Sequence, residues 1–342
     1  MATIGAIVGA CKQHLPELDR SDLLGATIVV ASAPLVAGLG LYARRASLPL
    51  AKVPFTPRSH KLVFVHEYSM ALSEAGFRAI RFTSWAAGTL LDRNSSDQLL
   101  VQGIFDDILS AASWGLGGIS PDDVKSYKWE IITVRDAAPG AFACASGKVV
   151  ITTGMLRLLR DRPGCIAHVI AHEVAHVLAR HVSEKIAHMA AGNLAVLTAM
   201  VLADSASAAD RNGVPYWEGS SDLARFAKYL PKVVGFIGLN ALQRPHSRRA
   251  EWEADMAGLK LMALAGYDPA DAAQAFRYMD EAHSTWETGD GWLPKALSLG
   301  STHPRTLGRV EALEAEAEAM AAAGPEGLGR VCSQPPGYWG LM

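Results

Sequence analysis

Cysteine is scarce in this chain. Its 342 residues hold four, Cys11, Cys144, Cys165 and Cys332, scattered and without Cys-x-x-Cys spacing. That pattern argues against a disulfide framework or a cysteine-ligated metal, and Cys144 and Cys165 read as small buried apolar residues. Excess charge is missing too. The 32 Lys and Arg against 34 Asp and Glu leave a formal −2, which gives nucleic acid nothing to bind. No Gly-x-x-x-x-Gly-Lys-Ser/Thr loop occurs, so coupling to ATP is not supported. No internal repeat is evident. Residues 1–22 lack the arginine-rich composition of a transit peptide, and the first apolar run comes too late for a short secretory signal.

Apolar residues are abundant. They make up half of the chain, and the mean hydropathy is +0.14, more than most soluble enzymes show. Residues 23–43 carry no charge, and a bilayer needs about 20 such residues. Pro34 and the glycines of this run are tolerated in membrane helices. Arg44 and Arg45 follow at once, with Lys52, Arg58 and Lys61 beyond. The expectation is a single transmembrane helix over 23–43, after an N-terminal segment 1–22 and before a proline-containing linker 44–60. A buried core helix is the other reading of the run. The basic flank would retain the rest of the chain on the side where it is made.

The stretch Ala167–His181, AHVIAHEVAHVLARH, contains His172, Glu173 and His176 as His-Glu-x-x-His. Residues four apart share a helix face, so both imidazoles can address one ion while Glu173 flanks it within reach of a water. Two neutral imidazoles suit Zn²⁺ better than Mg²⁺ or Ca²⁺, which prefer oxygen. The alanines favour helix, and Val169, Ile170, Val174, Val177 and Leu178 form an apolar surface. An ordinary amphipathic helix with two histidines is the plain alternative.

Elsewhere the periodicity predicts helices over 61–80, 97–114, 155–160, 247–266, 271–283 and 305–323. In the last, Glu311, Glu314, Glu316 and Glu318 read as a solvated face. Residues 129–134 and 148–153, rich in β-branched side chains, predict a small antiparallel strand pair. An edge strand beside the histidine helix could hold an extended peptide by main-chain hydrogen bonds, and residues 148–153 are the expected track. Two shorter apolar stretches, 190–203 and 229–242, read as core or interfacial helices, with a membrane-dipping lid as the alternative. The fold class is α+β, mainly α-helical. The domain spans residues 61–323, with a loosely packed tail over 324–342. His66-Glu67 is followed at the required spacing by Met70, so that pair is incomplete.

Catalytic zinc has three protein ligands and one open position. Candidates for the third are His168, His181, Glu251, Glu253, Asp255 and His303. His168 lies on nearly the same stripe as His172, where one helix cannot wrap three residues around an ion, so it reads as supporting or packing. His181, about 140° round from His176 on an unbroken helix, faces elsewhere. Glu251 and Asp255 are four apart, so one carboxylate could bind metal and the other an imidazole. Ordinary surface ion pairs among Arg248, Arg249, Glu251, Glu253 and Asp255 are equally compatible with the pattern.

HEVAHVLARH, SRRAEWEAD, LMALAGYDP and STHPRTLGRV together resemble the gluzincin family that contains the CAAX prenyl protease and the HtpX-type membrane heat-shock proteases. The nearest branch is the mitochondrial inner-membrane stress proteases that overlap in activity with the matrix AAA protease. The match runs from about Pro139 to Leu313, and VPFTPRSHK is similar to the linker entering that branch. The resemblance implies a zincin-like domain with Glu251 as third zinc ligand and Asp255 as its partner. It also implies His303 near the cleft, stabilising the oxyanion, and Arg309 in a supporting ion pair. The family's strand motif reads Asn-Ala-Phe where this chain has Gly140-Ala141-Phe142, which removes one substrate contact.

The expected function is that of a membrane-anchored zinc endopeptidase with Glu173 as general base. It would act on membrane or misfolded polypeptides in protein quality control, with one Zn²⁺ per subunit, a bilayer and substrate chains as partners, and a homo-oligomer as an open option. The location is a membrane, the mitochondrial inner membrane if the source is eukaryotic. In that branch the catalytic domain would face the intermembrane space, the opposite of what the basic flank implies. A non-proteolytic adaptor that keeps the fold and a prenyl-CAAX-type protease are the alternatives. The intact set of five groups argues against the first, and a single visible span against the second.

Overall fold

The chain is described by a computed structural model over residues 51–60, 66–186, 248–286 and 308–333. It opens with two short strands, β1 (Ala51–Lys52) and β2 (Ser59–His60), paired antiparallel. Val53 N–H closes the loop between them on the Arg58 carbonyl at 2.9 Å. Phe55 sits in this loop at φ 59°, a region that L-residues enter only when held there. It is held by Gly117, whose carbonyl accepts the Phe55 N–H at 2.7 Å. The Phe55 ring lies so close over Gly117 that a Cβ there would be 2.1 Å from it.

Helices α1 (His66–Ala86), α2 (Ser96–Ala112) and α3 (Pro121–Ser126) follow. Ser95 caps α2 by accepting the Gln98 N–H. Ser120 caps α3 in the same way, with Pro121 at the first helical position, where its missing N–H costs nothing. Val101, Ile104, Phe105 and Ile108 recur at helical spacing along α2 and are all buried.

The sheet differs from the sequence expectation. It has three strands, β3 (Glu130–Val134), β4 (Ala141–Ala143) and β5 (Lys148–Thr152), in the order β3-β5-β4. β3 and β5 pair parallel, Ile132 opposite Val150, and the antiparallel partner of β5 is β4, on the strand motif of the resemblance, in place of β3. The cause is the tight turn at residues 144–147. Gly147, at φ 81°, donates to the Cys144 carbonyl and folds β5 back on its immediate predecessor. The chain from Val134 has already crossed to the other side, tied there by the Thr152 hydroxyl donating to the Ala138 carbonyl and accepting from Gly140 N–H.

β5 is therefore the central strand and cannot serve as the substrate track expected over 148–153. The outer side of β3 is partly taken by residues 89–91, through a bridge at Leu90 and bonds from Leu91 N–H to Thr133 and from Arg135 N–H to Thr89. Among the described residues no strand pairs with the other side of β4.

Helix α4 (Thr153–Leu158), capped by Thr152, leads into α5 (Pro163–Leu178), the helix that carries His172 and His176. α5 is buried along its whole length from Gly164 to Leu178, and so is α6 (Arg248–Leu264) from Ala250 onward. Each fully buried aliphatic side chain stabilises by roughly 1.5–3 kcal/mol. Ile166, Ile170 and Val174 on α5 and Leu259 and Leu261 on α6 therefore hold this helix pair by packing alone. α7 (Ala270–Trp286) and α8 (Arg309–Ser333) complete the described chain.

α8 runs past the expected domain end, kinked at Gly324, and Cys332 near its end is fully buried. Its acidic face is not wholly solvated. Glu316 is buried against Lys260 at 3.3 Å, and Glu314 pairs with Arg277. Cys144 and Cys165 are buried free thiols, as their surroundings in the sequence suggest.

The apolar run 23–43, the stretches 190–203 and 229–242, and His303 lie outside the described residues. Among the described residues, no helix is long and apolar enough to cross a membrane.

Candidate metal centre

His172, His176 and Glu251 converge. One ligand atom from each lies within 4.8 Å of the others, and all three residues are buried. The two Nε2 atoms are 3.0 Å apart; Glu251 oxygens lie 3.7 Å from that of His172 and 3.5 Å from that of His176. Donors held about 2.0–2.1 Å from a tetrahedral zinc sit about 3.3 Å from one another, so the spacing fits such an ion.

Two helices distant in sequence make this possible because of Gly258. A Cβ at that position would lie 2.8 Å from the His172 backbone nitrogen, so only glycine lets α6 run this close to α5. Glu251 and Asp255 lie on the preceding turns of α6 and are carried with it.

Each histidine is backed by a chain of polar groups. His172 Nδ1 lies 3.0 Å from Asp255 Oδ1, and Asp255 accepts two bonds of 2.6 Å from Arg309. Burial alone would raise the Asp255 pKa, but the Arg309 guanidinium and His172 outweigh it and hold the carboxyl well below the usual range. Arg309 also reaches Glu251, at 3.5 Å. The pairing that the resemblance implied for Asp255 and Arg309 is thus present as geometry.

The second chain was not legible in the sequence. His176 Nδ1 lies 2.9 Å from His181 Nδ1, and His181 Nε2 lies 2.9 Å from Glu253 Oε2. Arg58 then grips Glu253 with two bonds of 2.7 Å and Glu184 with bonds of 2.8 and 3.0 Å. His181 does not face elsewhere. α5 ends at Leu178 and Arg180 takes φ 56°, and this break turns the chain so that His181 swings back beneath His176. Glu253, a candidate third ligand by spacing, instead receives His181.

The ends of this chain fix its hydrogens. Burial pushes the Glu253 pKa up, but the bonds from His181 and Arg58 prevail and keep it low, so Glu253 is a carboxylate and only accepts. His181 must then donate from Nε2 and accept at Nδ1. Burial lowers the His181 pKa and keeps that ring neutral, so His176 donates from Nδ1 and its Nε2, towards Glu251 and His172, carries no hydrogen. Asp255, gripped by Arg309, likewise favours the hydrogen of His172 on Nδ1. Buried lone pairs that converge with a carboxylate are a donor set for a cation.

Glu173 is buried beside His172 on α5. His168 is not part of the donor set. It packs on Phe276, ring centroids 5.7 Å apart, and burial drives its pKa down to about 3.

β4 packs close to α5. Gly140, Phe142 and Cys144 direct their backbone groups at β5, as the bonds from Thr152 N–H to Gly140 and from Cys144 N–H to Lys148 show. The alternation of an antiparallel pair turns the main chain of Ala141 and Ala143 away from β5, where Ala141 is buried and Ala143 is half-buried.

A histidine pair on one helix closing with a glutamate from a second defines the gluzincin type of metallopeptidase. The chain belongs to peptidase family M48, whose family model matches residues 117–317, a span that includes both polar chains except Arg58. Among curated proteins it is similar to three named mitochondrial metalloendopeptidase OMA1. It is 34% identical to that of Schizosaccharomyces pombe over 196 residues, 57% of this chain and 49% of the relative. It is 31% identical to that of Arabidopsis thaliana over 171 residues, 50% and 28% of the two chains. It is 30% identical to that of Saccharomyces cerevisiae over 213 residues, 62% and 53%. The alignments thus span about half of these relatives' length or less.

Proposed function

We propose that this chain is a zinc-dependent endopeptidase, anchored in a membrane by residues 23–43 and acting on unfolded or membrane polypeptides. The observation that carries the reading is the buried convergence of His172, His176 and Glu251 beside Glu173. Bound there, zinc would polarise the scissile carbonyl and bring the pKa of the attacking water to about 7.

Glu173 accepts the proton of that water and returns it to the leaving amine. Asp255 with Arg309, and His181 with Glu253, hold the two imidazoles in the tautomer that leaves Nε2 bare. An extended substrate adds to the outer side of β4 at Ala143, the one residue of that strand that is not fully buried. His303 is assigned to the oxyanion by resemblance alone. Mitochondrial location is inferred from the names of the relatives above, and a quality-control role from the resemblance of the sequence to the membrane stress proteases.

Metal analysis with a casein-cleavage assay tests the reading. Glu173→Gln should hold as much zinc as wild type and lose proteolysis by at least about 10²-fold, the general-base contribution. Glu251→Gln should lose the zinc. Cleavage by Glu173→Gln at the wild-type rate, or full zinc in Glu251→Gln, would remove the residue concerned from its role.

A further inference from the structure

We infer that Arg58 is a positioning residue for the metal centre, acting on His176 through Glu253 and His181. The inference rests on the zinc reading above and extends it to a residue that precedes the M48-matched span and follows the apolar run 23–43.

Three observations support it. First, the contact is continuous, with 2.7 Å from Arg58 to Glu253, 2.9 Å from Glu253 to His181 and 2.9 Å from His181 to His176. Every link is a nitrogen or oxygen contact of hydrogen-bond length, and His181 and Glu253 are buried. Second, Arg58 is held in place independently of these bonds. Its loop is closed by Val53 and Thr56, and Phe55, three residues earlier, is locked over Gly117. The guanidinium is therefore presented in a fixed position, and its planar fork matches a carboxylate as a lysine cannot.

Third, the arrangement repeats the one on the other ligand. His172 is backed by Asp255 and Arg309, and His176 by His181, Glu253 and Arg58. Each imidazole is backed by a carboxylate that an arginine holds in turn, directly for His172 and through His181 for His176. The difference lies in where the arginines sit. Arg309 opens α8, deep in the domain, whereas Arg58 belongs to the β1–β2 loop at the entry to the domain. A displacement of that loop would release Glu253 and His181 and loosen His176, with the packing of α5 and α6 untouched.

The test is zinc affinity of the full chain, measured by competition with a chromophoric chelator, together with the visible spectrum of the Co²⁺-substituted protein. Loss of a group that orients a ligand weakens metal binding roughly 10–100-fold. Arg58→Met should weaken zinc binding by that factor and shift the Co²⁺ bands, with the metal-free protein still folded. Arg58→Lys, which keeps the charge without the fork, should fall between it and wild type. In a His181→Phe background, Arg58→Met should add nothing.

Unchanged zinc affinity and an unchanged Co²⁺ spectrum in Arg58→Met would overturn the inference while leaving the zinc reading intact. An undiminished effect of Arg58→Met in the His181→Phe background would overturn the route through His181. A wild type that takes up no zinc would overturn this inference and the zinc reading together.

Discussion

The four described buried histidines divide into three kinds, according to what their nitrogens meet. His172 and His176 present one nitrogen to the donor set and the other to a polar support, while His181 serves only as support. His168 is different again: 1% exposed, with neither ring nitrogen bonded among the described residues. Burial, only partly offset by Asp255, lowers its pKa from 6.5 to about 3. The unfolded chain therefore takes up a proton below pH 6.5 that the folded protein refuses. The stability tied to neutral His168 is fully present above that pH and is lost as pH falls toward 3, at about 1.4 kcal/mol per pH unit. Urea midpoints of metal-free wild type and His168→Phe should diverge below pH 6.5 in favour of the variant. Parallel pH curves would show that His168 is not the source. The residues legible from the sequence were those fixed by short-range rules, namely the pair at spacing four and its flanking Glu173. His181, Glu253 and Arg58 were not, because their meeting depends on a left-handed residue at Arg180 and on a loop far upstream, and periodicity encodes neither.

At the scale of elements, most helices were legible to within about six residues, but α3 (Pro121–Ser126) was not expected, α8 runs ten residues past its expected end, and the sheet was not legible. β-Branched runs announce strands but carry no record of which neighbour they take. Here the three-residue strand Ala141–Ala143, which falls on the strand motif of the resemblance, displaced the expected partner, and the two longer strands pair parallel. The meeting of α5 and α6 was legible only through the resemblance, which implied Glu251 beside the two histidines; how closely they cross was hidden, since it turns on the absence of one methyl group at Gly258. Gly258→Ala forces a Cβ to within 2.8 Å of the His172 backbone, so the helices must part. Overpacking of this kind costs roughly 1–3 kcal/mol, and it should also draw Glu251 away from the histidines. Denaturant midpoints and zinc affinity should fall together in that variant. A fall in stability with zinc affinity unaltered would show that the helix spacing does not set the donor geometry.

For the molecule as a whole, the proposed anchor is a claim of length and charge, 21 uncharged residues followed by two arginines. Such a segment is retained by a bilayer because its backbone bonds are satisfied internally. The full chain should stay in the membrane pellet at alkaline pH, and Val29→Arg with Leu35→Arg should release it, since each charge at mid-bilayer costs roughly 2.5–3.5 kcal/mol. Release of the wild-type chain under the same wash would rule out a spanning helix. The separation of the metal donors along the chain has a further consequence. A ribosome delivers both histidines well before Glu251 and Asp255, and Arg309 later still. No nascent fragment that stops short of α6 carries the complete donor set, so a growing chain is harmless to its neighbours until most of it has been synthesised.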